Sequence, residues 1–237
     1  MNTMSNNILL LLTLLADFGA LLVFFRFFGK SGVFCWTVIT SIAANIEVLI
    51  LVHAFGMEQT LGNVLFASSF LATDILSEAY GKKAADKAVW IGIAANVSFV
   101  IISQMWLLFT PASDDWAMVS VKALFSHTPR IMTASVIAYV VSELFDVWSY
   151  HAWWDFTTRK CGDSGKFLWL RNNVSTLAAQ LINTALFTAV AFTGVYPLKT
   201  VISIALSSYV IFIFTSLLDT PFIYFARWMH RHGMERD

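Results

Sequence analysis

Charge is what this chain lacks: only 13% of its 237 residues are Asp, Glu, Lys or Arg, against 58% hydrophobic residues and a mean hydropathy of +0.70. Soluble domains carry roughly a quarter charged residues, so the composition excludes one and leaves an integral membrane protein. Cysteine is scarce too. Cys35 lies near the start of an apolar segment and Cys161 in a loop expected to face the reducing cytoplasm, so no disulfide is expected. No CxxC, no histidine pair at helical spacing and no mixed His, Cys and carboxylate cluster occurs, so neither a metal site nor a cofactor is expected. His151, His230 and His232 fall near inner membrane edges, where imidazoles snorkel or meet headgroups. Gly-x-Ser-x-Gly and His-Glu-x-x-His are absent as well, and with them the signatures of a membrane enzyme. A retinal photoreceptor is excluded because the last apolar segment has no buried lysine.

What is present is a series of long apolar runs. A helix needs about 20 mainly apolar residues to cross a hydrocarbon core about 30 Å thick. Seven stretches qualify: 8–28, 33–55, 60–80, 88–110, 130–154, 174–195 and 200–228. The expected fold is therefore an all-α integral membrane protein, a single polytopic domain over 1–237 with short connections. The basic residues test that count, because cytoplasmic loops hold the excess of Lys and Arg. Twelve of the fifteen fall on one side: Arg26 and Lys30; Lys82, Lys83 and Lys87; Arg159, Lys160, Lys166 and Arg171; Arg227, Arg231 and Arg236. Lys122, Arg130 and Lys199 are left for the other, beside Asp114 and Asp115. This sets seven transmembrane helices with the N-terminus outside and the C-terminus inside. Residues 1–7 carry no base and the apolar run that follows is long, so the first segment stays in the membrane rather than acting as a cleaved signal.

The acids are distributed differently. Of fifteen, seven fall within the expected spans: Asp17, Glu47, Asp74, Glu78, Glu143, Asp146 and Asp219. Only Arg130 among the bases lies within a span away from the inner edge, so these acids are expected to lack basic partners. A central Asp costs roughly 2.5–3.5 kcal/mol on insertion scales, which makes intramembrane acids functional candidates. Buried carboxylates without cations must be protonated, bond to neutral donors, or receive a cation or a donor-rich ligand. Each option requires a polar interior. Helical spacing groups Phe70, Asp74 and Glu78 on one helix face, Ser135, Tyr139, Ser142 or Glu143, and Asp146 on another, and Asn173, Thr176, Gln180, Asn183 and Phe187 on a third. Asn45, Glu47, Asn96 and Gln104 add polar groups, and Asp219 precedes Pro221, which weakens the helix ladder. A pocket of carboxylates, amides and aromatic rings suits a flat donor-rich heterocycle, and equally an amine, a sugar or a proton chain. Residue chemistry stops there, at a transporter of a polar solute.

The block Phe66-Ala-Ser-Ser-Phe-Leu-Ala-Thr-Asp74-Ile-Leu-Ser-Glu78-Ala-Tyr-Gly81 resembles the queuosine precursor transporter family, once called the vitamin uptake transporter family. So do Arg130-Ile-Met-Thr-Ala-Ser135, Ser-Glu143-Leu-Phe-Asp146, Arg171-Asn-Asn-Val-Ser175-Thr176 and Gln180-Leu-Ile-Asn183-Thr184. The resemblance spans a six-helix family core, 33–228, and leaves helix 8–28 as an addition. It implies a secondary carrier of the bacterial inner membrane, importing the 7-deazaguanine bases preQ0, preQ1 or queuine for tRNA queuosine salvage. The alternative is a substrate-binding subunit of an energy-coupling-factor transporter for a related small nutrient. On this reading Asp74 is the main ligand to the base, Gln180 and Asn183 complete its polar edge, and Glu143 and Asp146 are further ligands or proton-coupling groups. Asn45, Glu47, Phe70 and Tyr139 line the same site, while Glu78, Arg130 and Asp219 gate or couple. The family more often has Asp where this chain has Asn183, and Gln where it has Glu143. A site so rich in acid favours a precursor bearing an amine. The expected partners are that small base and the lipid bilayer, with no direct nucleic acid contact, and a homodimer is an economical way to cover the aromatic surface.

Overall fold

The computed structural model describes residues 3–126, 129–163 and 165–235. Arg236, one of the expected cytoplasmic bases, lies outside them, as do the first two residues of the N-terminal leader. Among the described residues there are seven helices, α1 (Thr3–Glu47), α2 (Gly62–Tyr80), α3 (Lys82–Trp106), the short α4 (Met118–Phe125), α5 (Pro129–Cys161), α6 (Leu168–Phe192) and α7 (Leu198–Arg231), and the long ones form the bundle. A hairpin of β1 (Leu51–Ala54) and β2 (Met57–Thr60) is the addition to an otherwise all-α fold. Five of the helices are long and apolar enough to cross a membrane: α1, α3, α5, α6 and α7.

Helix α1 is two limbs in one. Gly29 sits at φ 50°, ψ −134°, outside helical space, and the chain reverses there. Its start returns to the hairpin that follows its end: Asn6 Nδ2 donates to the His53 carbonyl at 3.1 Å, and the Phe55 amide donates to Asn7 Oδ1 at 2.7 Å. The rings of Phe24 and Trp36 pack across the limbs at 5.5 Å. Gly32 permits the reversal, because a Cβ there would overlap the Phe24 carbonyl group. The expected segments 8–28 and 33–55 are thus the two limbs, but the second ends at Glu47 rather than at 55. Residues 51–60 pair instead as antiparallel strands, Leu51 opposite Thr60 and Ala54 opposite Met57. Phe55 and Gly56, with φ of 52° and 74°, supply the two left-handed residues of a tight hairpin turn. A short apolar run of this kind fits either period, which is why its sequence read as the end of a helix.

Helix α2 is the central post. Fourteen of its nineteen residues are buried, so it faces protein on nearly every side rather than lipid. That position accounts for its low apolarity: Ser68, Ser69, Thr73, Asp74 and Ser77 are all buried. Small residues let its neighbours approach closely, as expected for helix packing within membranes. Helices α1, α3, α5 and α7 pack around α2, and Thr176 of α6 reaches its Asp74. The limbs and helices alternate in direction. One end of the bundle carries the hairpin and the start of α2; the other carries Gly29, the end of α2 and the start of α6.

Helix starts differ from expectation by several residues in α3, α6 and α5's far end, and one shift matters. Helix α6 begins at Leu168 rather than at 174, which draws Arg171 out of the predicted loop and into the first helical turn.

Candidate functional site

The middle of the bundle is a layer of acids and amides contributed by α2, α5, α6 and α7. Asp74, Glu143, Asp146, Gln180 and Asp219 are each at most 1% exposed. Asp74 Oδ2 accepts from the Thr176 hydroxyl at 3.2 Å, and Asp219 Oδ1 accepts from Asn172 Nδ2 at 2.7 Å. Glu143 accepts from Ser69 at 2.5 Å and from Thr73 at 3.3 Å. Asp146 lies beside Asp74 and Ser175. Among the described residues, both amide atoms of Gln180 and the Asn172 carbonyl have no hydrogen-bond partner, and the second oxygen of Asp74 and both oxygens of Asp146 have only each other and Ser175 beside them. Buried polar atoms are almost always satisfied, so this cluster of poorly satisfied atoms in one layer is the candidate place to receive donors and acceptors from elsewhere.

A path leads to this layer from the hairpin end. It opens as a vestibule of about 600 Å³ between the hairpin, the end of α6 and the start of α7. Asn63 and Phe187 form its floor and also line the next space, of about 40 Å³, which they share with Phe66, Ser135 and Asn183. Below that, Phe66, Ser135, Ser69, Tyr139 and Asn96 surround a void of about 10 Å³. Phe66 is the plug, in ring contact with Phe70 at 5.1 Å, Tyr139 at 5.8 Å and Phe212 at 6.4 Å. Tyr139 packs its hydroxyl against Gly92 of α3, where any Cβ would collide with it. Ser69 then hands the path to Glu143.

The opposite end is shut by a satisfied network. Glu78, one turn beyond Asp74 on α2, meets Arg171 Nη2 at 2.5 Å with one oxygen and Arg227 Nε at 3.1 Å with the other. Tyr150 donates to the same carboxylate at 2.9 Å and accepts from Arg171 Nε at 3.3 Å. Arg171 also donates to the Lys166 carbonyl at 3.0 Å, and its guanidinium lies 4.2 Å from the centre of the Trp154 ring. Arg227 donates to the Gly165 carbonyl at 2.9 Å. Four elements, α2, α5, α6 and α7, are therefore tied at one carboxylate.

Measured against the sequence, the three polar stripes do turn inward. Asp74, Glu143, Asp146, Gln180 and Asp219 gather in one layer; Phe70, Tyr139 and Asn183 lie on the approach to it. Asn45 donates to the Ser41 carbonyl at 2.7 Å and to Asn96 Oδ1 at 2.9 Å, joining α1 to α3 above the layer. Glu47 is not brought to it: half-buried at the end of α1, it lies near Asp17 of the other limb. Arg130 is exposed and donates to the Val190 and Thr193 carbonyls at the end of α6. The expectation that the intramembrane acids lack bases is corrected at Glu78, whose partners Arg171 and Arg227 sit inside the helix ends rather than in loops. Arg171, Tyr150, Asn172 and Phe66 were missed as site residues. The signal for the first was available: a base heading the Asn-rich start of the α6 polar stripe.

A family described as putative vitamin uptake transporter matches residues 60–226, from the end of the hairpin to the last turns of α7. The chain is 38% identical over 226 residues to the probable queuosine precursor transporter of Bacillus subtilis (strain 168), an alignment covering 95% of this chain and 96% of that one. No solved structure matches. With most of its length matched by the family model and a relative aligned nearly end to end, the chain belongs to the putative vitamin uptake transporter family and is a multi-pass membrane transporter, not an enzyme.

Proposed function

We propose that this protein is a secondary carrier that imports a 7-deazaguanine precursor of queuosine, preferring one that bears an amine, across the bacterial inner membrane. The observation that carries the reading is the unsatisfied polar layer around Asp74, Asp146 and Gln180. A guanine-like edge offers an N1–H and an exocyclic amine to one carboxylate and accepts at its carbonyl from an amide, which are the groups Asp74 and Gln180 present. A cationic aminomethyl group adds a use for the second acid, Asp146, because a charge pair inside a low-dielectric bundle replaces an otherwise unpaired carboxylate. The similarity to a relative named for queuosine precursors supports the same substrate class.

The carrier is drawn open toward the vestibule and closed at Glu78. Entry requires the Phe66 plug to swing aside, and release on the far side requires it to close again and the Glu78, Arg171 and Arg227 contacts to part. Pro221, inside α7 and two residues from Asp219, supplies a weak point in that helix for such bending. With the two limbs of α1 and the central α2 counted, seven spans cross the bilayer, N-terminus outside and C-terminus inside, which puts the arginine-rich end in the cytoplasm. The natural cysteines test this: Cys161 is exposed at the end of α5. An impermeant maleimide should label it in inverted vesicles and not in intact spheroplasts.

The deciding experiment measures binding of preQ0, preQ1, queuine and guanine to purified protein and to Asp74→Asn. Wild type should bind preQ1 or queuine above preQ0, and Asp74→Asn should lose about 100-fold, the worth of one or two charged hydrogen bonds at 1.4 kcal/mol per tenfold. Unchanged affinity in Asp74→Asn would contradict the assignment.

A further inference from the structure

The polar layer has no ligand-sized space in this conformation. The two voids leading to it measure about 40 and 10 Å³, whereas small-molecule sites run to about 300–1,000 Å³. Of the three spaces on this path, the vestibule, at about 600 Å³, is the one within that range. Its walls are not those of a bare funnel. Phe187, Phe192 and Tyr196 form a continuous aromatic ladder along it, with successive centroids 5.7 and 5.8 Å apart. Tyr196 is 49% exposed at its mouth. From the hairpin side comes Gln59, only 2% exposed, with neither amide atom bonded to any described group. Such an amide, buried at the lining of a cavity, costs free energy unless something pairs with it. Asn63 adds a second amide at the floor, held by Ser208 at 3.4 Å.

We propose that the vestibule is a binding subsite in its own right, an entry site that holds the planar heterocycle against the Phe192 and Tyr196 rings with its amide-like edge on Gln59, before the base passes Phe66. Aromatic stacking supplies sequence-tolerant affinity for any flat base, about 1–3 kcal/mol per base in nucleic-acid systems. The Gln59 amide, donor and acceptor together, matches the carbonyl and ring N–H of a guanine-type edge without needing charge. The entry site therefore selects the base, and the acid layer beneath selects its amine. It gives a use to the hairpin that replaces the end of the expected helix 33–55: β2 carries Gln59 to the cavity wall, and the Phe55-Gly56 turn places it there.

The proposal rests on the deazaguanine reading, and the test separates the two. Radiolabelled preQ1 and preQ0 are titrated in equilibrium dialysis against purified full-length wild type, Asp74→Asn, and Asp74→Asn combined with Gln59→Leu or with Tyr196→Ala. Wild-type binding reports on the function itself. If wild type binds neither base, both readings fall. Asp74→Asn should keep a residual site about 100-fold weaker than wild type that no longer distinguishes preQ1 from preQ0, and either second substitution should weaken it at least tenfold further. No residual binding in Asp74→Asn, or residual binding unmoved by both second substitutions, overturns the entry site and leaves the deep site standing. Gln59→Leu is near-isosteric and Tyr196 is half exposed, so thermal unfolding of each single variant near that of wild type confirms that the comparison is between folded proteins.

Discussion

Asp74 and Glu78 are one helical turn apart on the same face of α2, equally costly to bury, and they meet opposite surroundings. Glu78 is saturated: two guanidiniums and a phenol converge on it, and each of those groups has further partners. Asp74 has a single hydroxyl on one oxygen and, among the described residues, only the Asp146 carboxyl rather than a base beside it. A fully satisfied buried network fixes a unique arrangement, whereas a partly satisfied one stores an unmet demand. The first closes one end of the bundle, and the second belongs to the proposed ligand site. The difference of four residues in sequence separates what holds this conformation from what the conformation waits for.

Removing each charge should break the pair most visibly. Glu78→Gln leaves Arg171, wholly buried, and Arg227 without their counter-ion, and should cost about 3–5 kcal/mol of stability, seen as a lower unfolding midpoint in detergent. Asp74→Asn removes a carboxylate that no cation depends on, and should shift stability by less than about 1 kcal/mol while tight preQ1 binding disappears. Equal destabilisation by the two substitutions would erase the distinction drawn between them.

The next largest effect sharpens what kind of lock Glu78 makes. Arg171 serves Glu78, Tyr150, the Lys166 carbonyl and the Trp154 ring from one planar group. Lysine offers a point charge that cannot reach all four, so Arg171→Lys should still cost about 2 kcal/mol. A variant as stable as wild type would reduce the lock to a simple charge pair. Because the network ties α2, α5, α6 and α7 together, the same variant should raise the rate of substrate release if the lock is the barrier to opening.

Much of this contrast was legible in the sequence, and the parts that were not share a cause. The i,i+4 stripes on α2, α5 and α6 predicted which polar residues turn inward, because helix periodicity alone decides that once lipid excludes charge. Periodicity says nothing of depth. Arg171 was assigned to a loop because helix ends are set by packing, and α6 starts one and a half turns earlier than its apolar run, 168 against 174. Glu47 failed to join the site for the complementary reason: its position on a polar-looking segment is real, but the hairpin after it ends α1 early and leaves it facing Asp17. The hairpin was illegible because Val-Leu-Ile-Leu-Val satisfies a strand and a helix equally, and only the Phe-Gly turn, needing two positive φ angles, breaks the tie.

Glu143 stands between the two regimes, and Ser69 decides on which side it falls. Its carboxylate is buried with two hydroxyl donors and no base. Ser69→Ala removes the shorter of them, leaves an acceptor oxygen unmet and should cost about 1–2 kcal/mol, more than a surface serine and less than Glu78→Gln. If the loss is accompanied by weaker preQ1 binding, Glu143 is a ligand whose orientation Ser69 sets; if binding is unchanged, Glu143 is structural and the site ends at Asp74, Asp146 and Gln180.

The smallest effect concerns Arg130, the one base that the sequence places within a span away from the inner edge. Its guanidinium donates to the Val190 and Thr193 carbonyls, two of the groups that the end of α6 leaves without helical partners. A cation there also meets the negative end of the helix dipole, but the side chain is exposed and water screens most of that attraction. Arg130→Gln should therefore cost at most about 1 kcal/mol, since an amide can still donate to one carbonyl. The informative readout is transport rather than stability. Capping α6 fixes the wall that carries Phe187 and Phe192 into the vestibule, so a wall position that matters should appear as a raised KM for uptake with the maximal rate preserved. A lowered maximal rate with KM unchanged would instead place Arg130 among the residues that move when the hairpin end closes, as an outer counterpart to the Glu78 lock.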